Sequence, residues 1–128
     1  MKLIHGTAVW VCLALTATLA AQNGVQRTVV QKMDSSVPGR DVLSVRVEFA
    51  AGASTGRHTH PGDEIDYVVE GEGEWLVDGQ VSRKAKAGDS IIIPGGTVHE
   101  ARNAGGSPLK VMAVFVVEKG KPLTTPAP

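Results

Sequence analysis

Residues 52–71 read GASTGRHTHPGDEIDYVVEG, a stretch that opens and closes on glycine and holds His58, His60 and Glu64 within seven positions. Side chains of an extended strand alternate between faces, so His58 and His60 point one way and Thr59 the other. Pro61, Gly62 and Asp63 form a turn-prone link that lets Glu64 swing back toward the two imidazoles. Two neutral imidazoles and a carboxylate are what a divalent transition metal takes from a protein. The stretch therefore reads as part of a metal centre carried on β-strands.

The sequence on either side is strand-like too. From Asp41 to Phe49 the chain alternates, with Leu43, Val45, Val47 and Phe49 on one face and Val42, Ser44, Arg46 and Glu48 on the other. That is the pattern of a half-buried strand. Thr28–Met33, Ile65–Glu70, Glu74–Val77, Ser90–Ile93 and Thr97–Arg102 read as further strands, with Gln22–Arg27 as a loose leader before them. Turn signals separate them: Pro38-Gly39, Asp78-Gly79 as a short hairpin, and a polar Lys84–Gly88 run ending in Gly88-Asp89. Val111–Val117 (VMAVFVV) is apolar on both faces, so both need cover. No stretch after the N-terminal apolar run keeps helical periodicity. Short strands at regular spacing argue for an all-β fold, a small antiparallel barrel of jelly-roll type, since closure removes exposed sheet edges.

A second patterned stretch, residues 88–103, reads GDSIIIPGGTVHEARN. Pro94 ends a strand where no ladder donor is needed, and His99 lies three residues beyond Gly96. Together the two stretches resemble a single-domain cupin. The family's first motif is matched by Gly52, His58, His60, Glu64 and Gly71, and its second by Gly88, Pro94, Gly96, His99 and Asn103. The resemblance implies that His58, His60, Glu64 and His99 ligate one metal ion. Three imidazoles and a carboxylate leave two positions open in an octahedral field, which suits Fe, Mn, Ni or Cu, while Zn would be content with the four; Fe or Mn is favoured.

The family contains quercetinase-like dioxygenases, isomerases, lyases and non-catalytic binding proteins, so the motif alone does not decide the activity. Strand parity turns Glu64, Asp66, Val68, His99 and Ala101 inward, making a mostly apolar pocket. Asp66 is the one further group able to act as a general base, or else to bond a ligand imidazole. Arg57 and Asp63 read as solvated rim residues, and Tyr67 and Trp75 as packing outside the barrel. So few proton-moving groups favour a dioxygenase-like oxidoreductase acting on a small oxygenated or aromatic molecule, with an exported metal- or small-molecule-binding protein as the alternative.

The N-terminus reads as an export signal over residues 1–21: Lys2 is followed by the apolar run Ala8–Leu19 and small residues suited to cleavage after Ala20 or Ala21. The apolar segment is shorter than the roughly 20 residues of a membrane-spanning helix. The expected domains are this signal, a barrel over residues 22–118 and a disordered tail over 119–128. Localisation follows as periplasmic or secreted, with no membrane attachment after cleavage. The only cysteine, Cys12, leaves with the signal, so no disulfide supports the exported domain. Lys and Arg number 13 and so do Asp and Glu; a chain without basic clusters is a poor partner for nucleic acid. A small core and the two-sided apolar strand suggest a homodimer.

Overall fold

The computed structural model describes residues 18–128, with side chains from Asn23 onward. The described residues form strands and loops with no helix. Six strands make one antiparallel sheet in the order β1 (Thr18–Gln22), β2 (Val25–Asp34), β3 (Arg40–Phe49), β10 (Leu109–Glu118), β5 (Gly62–Glu70) and β8 (Ser90–Ile93). Five make the other: β11 (Thr125–Pro126), β4 (His58–Thr59), β9 (His99–Arg102), β6 (Glu72–Val77) and β7 (Arg83–Lys86). All pairings are antiparallel, and the two sheets are those of a jelly-roll barrel.

The core lies between the sheets and follows the parity of the sequence. β3 buries Leu43, Val45, Val47 and Phe49. β5 turns Glu64, Asp66 and Val68 inward and leaves Tyr67 and Val69 exposed. In β10 the odd-numbered set Val111, Ala113, Phe115 and Val117 is buried, while Met112, Val114 and Val116 are only half-buried on the outer face. The neighbours of β10 within the sheet are β3 on one side and β5 on the other.

Several expectations need correction. Trp75 points into the barrel and is almost completely buried. In β6 the inward positions are Gly73, Trp75 and Val77, with Glu74 and Leu76 outside. Lys84–Gly88 begins as strand, because β7 pairs with β6 and buries Ala85. The Asp78-Gly79 hairpin is wider than a two-residue turn, since β6 ends at Val77 and β7 starts at Arg83. The loose leader is also absent: β2 already starts at Val25, and β1 pairs with it. The expected signal lies outside the described residues up to position 17, and both expected cleavage points fall within β1.

The segment after β10 is ordered, contrary to the disordered tail expected from its Lys, Pro and Thr content. Leu123 packs against the core. Thr125 and Pro126 pair with Thr59 and His58. Arg57 Nε donates to the Pro128 carbonyl at 2.7 Å while its two terminal nitrogens hold Asp78 at 3.0 and 2.9 Å. The order comes from contacts with distant residues, which composition does not record.

Gly71, the last residue of the first motif, joins β5 to β6 with a φ of +84°, and a Cβ there would sit 2.4 Å from the Pro108 carbonyl oxygen. Both the left-handed backbone and the close approach exclude a side chain. Gly71→Ala should therefore lower stability by about 2–5 kcal/mol, read as a shift of the urea midpoint at constant slope. An unchanged midpoint would contradict this account of the turn. Asn103, which closes the second motif, has a structural role as well. Its buried amide donates to the Ser107 carbonyl at 2.7 Å and accepts from Gly105 N at 3.1 Å, fixing the loop before β10.

Candidate metal centre

The four motif side chains come from both sheets and meet inside the barrel. His58 on β4 is the register partner of His99 on β9. Glu64 reaches across from β5, and His60 lies in the link between β4 and β5. All four are buried, and their ligand atoms lie within 4.8 Å of one another. His58 Nε2 is 3.1 Å from His60 Nε2, and Glu64 Oε2 lies 3.1 Å from His60 Nε2 and 2.9 Å from His99 Nε2.

The far nitrogen of each ring explains this orientation. His58 Nδ1 donates to the Gly56 carbonyl at 2.8 Å, His60 Nδ1 to Leu123 at 2.6 Å, and His99 Nδ1 to Thr97 at 2.9 Å. A carbonyl oxygen only accepts, so each Nδ1 carries a proton, and the neutral form of each ring would turn the lone pair of Nε2 inward. Three lone pairs and a carboxylate then crowd one point. Glu64 Oε2 and His99 Nε2 are buried without an aligned hydrogen-bond partner, which is costly unless something else satisfies them. A divalent cation meets that demand, and carbonyl-anchored imidazoles are the usual support of a metal-bound histidine. The donor set therefore fits the ion that the sequence implies.

Burial pushes the His58 imidazole down to about 4. At His99 burial acts in the same sense, but the Glu64 carboxylate outweighs it and leaves the ring above its ordinary value. Burial raises Glu64, yet His60 and His99 more than reverse this and hold it below the usual carboxylate range. These shifts predict the pH response of the metal-free protein. Between about 6.5 and about 4 the unfolded chain takes a proton at His58 that the folded chain refuses, so stability falls as the pH falls through that window. Glu64 acts in the same direction at lower pH. His99 has the opposite sign, its contribution being complete below 6.5 and lost as the pH rises through its folded value. Urea midpoints in a chelator should decline from about pH 6.5 toward 4; a flat profile would mean that His58 is not buried neutral.

Asp66 is beside this cluster but does not bond a ligand imidazole. Its Oδ2 accepts from Trp75 Nε1 at 2.8 Å, and its Oδ1 is buried unpartnered. Burial, and then the Glu64 charge, push its carboxyl well above the ordinary range, so the neutral acid is favoured. A carboxyl shifted in that direction is suited to proton transfer. Arg57 and Asp63 are both engaged, Arg57 with Asp78 and Asp63 with Gly95 N at 2.9 Å.

Three contributors were missed from sequence. Arg27 lines the cavity from β2, alongside Val45 and Val47 of β3. The Val25, Arg27, Val29 alternation could have shown this had the strand not been started at Thr28. Leu123 and Thr124 close the same cavity from the C-terminal segment, and nothing in their sequence marks them. The space between these residues is about 40 Å3.

Comparison with known proteins agrees with this geometry. A family model described as "Cupin domain" matches residues 45–115, more than half of the chain. The chain belongs to the cupin family. This cupin is 36% identical over 87 residues to germin-like protein subfamily 2 member 2 of Arabidopsis thaliana, covering 62% of the chain and 40% of that relative. It is 34% identical over 76 residues to a protein of Thermotoga maritima named "Oxalate-binding protein", covering 59% of the chain and 62% of that protein. Among solved structures it resembles a predicted oxalate decarboxylase from Thermotoga maritima, with a TM-score of 0.65 and 26% identity over 80% of this chain and 91% of that one. The cupin spans less than half the length of the germin-like relative.

Proposed function

We propose that His58, His60, Glu64 and His99 hold one divalent transition metal, Fe or Mn by preference, and that the centre serves a dioxygenase-like oxidation of a small oxygenated molecule in an exported compartment. The observation that carries the metal assignment is the set of three Nε2 lone pairs and one carboxylate converging on a point, each imidazole fixed by a carbonyl behind it. A bound ion would supply a Lewis acid with positions open to ligand.

The chain's own residues supply the rest. Apolar walls and the C-terminal segment line the cavity, and Asp66, held by Trp75, keeps a proton close to Glu64. A cavity of about 40 Å3 is only a few times the ~10–15 Å3 that a single water needs. This favours a ligand of a few heavy atoms over the fused rings of a flavonol. The test is elemental analysis of the purified protein, then anaerobic loading with Fe(II) or Mn(II) and oxygen uptake with small hydroxy and enediol compounds. Uptake above the metal-free control supports the enzyme. Full metal occupancy without uptake favours the non-catalytic binding protein.

The homodimer belongs to the same reading. Met33, Tyr67, Val69 and Ile92 are exposed on the sheet that carries β10, an apolar surface that a second copy would cover. Sedimentation as a monomer at roughly tens of micromolar would count against it.

A further inference from the structure

Arg27 is out of place by the pattern of its own strand. β2 turns Val25 and Val29 toward the core, and Arg27 lies between them, opposite Val47 of β3. It is half-buried and lines the same cavity as His58, His60, Glu64 and His99. The walls around it are Val45, Val47 and Phe49. Among the described residues it makes no hydrogen bond and no ion pair, whereas Arg46, Arg57 and Arg102 each hold a carboxylate.

A guanidinium stays charged in any protein environment and presents a planar fork of donors. Half-burying one against valine and phenylalanine without a partner is unfavourable, and burial does lower its proton affinity while Glu64 acts to restore it. The charge balance of the cavity points the same way. With a divalent ion on the cluster, Glu64 is engaged and Arg27 adds a further positive charge. The cavity is then net positive whether Asp66 is ionised or not, and a water-poor cavity with net positive charge calls for an anion.

We propose that Arg27 is the anion-recognising residue of this cupin and that its ligand is a small carboxylate, gripped by the guanidinium beside the His–Glu cluster. The fork matches a planar carboxylate through two parallel hydrogen bonds. The cavity of about 40 Å3 restricts the acid to a few heavy atoms, of the size of acetate or oxalate. The inference rests on the metal-centre reading and narrows its ligand from any small oxygenated molecule to an anionic one.

The test compares wild type, Arg27→Gln and Arg27→Lys, each loaded with Mn(II) and its metal-to-protein ratio measured. Each is titrated calorimetrically with oxalate, acetate and the uncharged acetamide. At equal metal content, Arg27→Gln should bind both acids at least about 10-fold more weakly than wild type, because a charge-assisted bidentate contact is lost. Arg27→Lys, with charge but no fork, should fall between the two. Acetamide should not distinguish them. Equal affinity of wild type and Arg27→Gln for the acids would overturn the proposal. Should Arg27→Gln fail to fold, Arg27→Lys decides: a loss of about threefold or more for the acids alone supports it, and no loss overturns it. If wild type takes up no metal, the metal-centre reading fails. Arg27 is then judged by the same titrations on the metal-free protein, with the same two outcomes.

Discussion

His99→Ala should leave a folded barrel that no longer retains a divalent metal through gel filtration, with affinity reduced by more than about 100-fold. That magnitude is a lower bound, since altering the groups that merely orient a metal-bound histidine already costs about 10–100-fold. His99 is the appropriate site because it comes from a different strand from the other three and its Nε2 is buried against Glu64 Oε2. Removing it leaves three donors and an enlarged opening. The measurement is the metal-to-protein ratio after dialysis, together with the rise in melting temperature on adding metal. Wild type should melt higher with metal, because an ion that binds only the folded state stabilises it by mass action. The variant should show little or no rise. If His99→Ala keeps full occupancy, the four side chains are not a single coordination site.

Trp75→Ala should be the most destabilising single substitution outside the cluster. The indole is 1% exposed, and deleting a buried aromatic costs about 3–5 kcal/mol. The Asp66 carboxyl would also lose the hydrogen bond it accepts from Nε1 at 2.8 Å, adding about 1–3 kcal/mol for a buried polar group left unmet. Trp75→Phe separates the two effects: most of the ring remains and the N–H is lost, so its cost should be nearer the second figure. Urea unfolding followed by circular dichroism avoids using the mutated indole as its own reporter. A Trp75→Ala midpoint close to wild type would mean that the side chain is not the packing centre its burial indicates.

The sequence carried much of this site because the information was local. His58-x-His60, the short link to Glu64 and the Gly96-to-His99 spacing place their side chains through strand parity and turn geometry alone. The same parity correctly turned Glu64, Asp66 and Val68 inward and Tyr67 outward. Trp75 was misplaced although its strand held the signal, since Glu74 is charged and its parity opposes that of Trp75. β7 was missed because Ala85 is the only apolar residue in RKAK, so pairing with β6 and not hydrophobic pattern makes it a strand. Residues 119–128 show what local reading does not reach. Their order depends on His60, Thr59 and Arg57, some sixty residues earlier. Asp66 was recognised as unusual, but its protonation depends on its depth of burial and then on the Glu64 charge beside it.

β10 is among the last strands to be synthesised, yet it lies in the middle of its sheet, paired with β3 along one side and β5 along the other. A nascent chain that stops short of Leu109 therefore presents two bare ladders with nothing between them. Such a fragment is an invitation to intermolecular pairing, and its native alternative has to wait for a strand that begins sixty residues after the end of β3. Assembly should accordingly behave as a single late zippering event. Chains truncated before residue 109 should collect as aggregates, not as stable half-barrels.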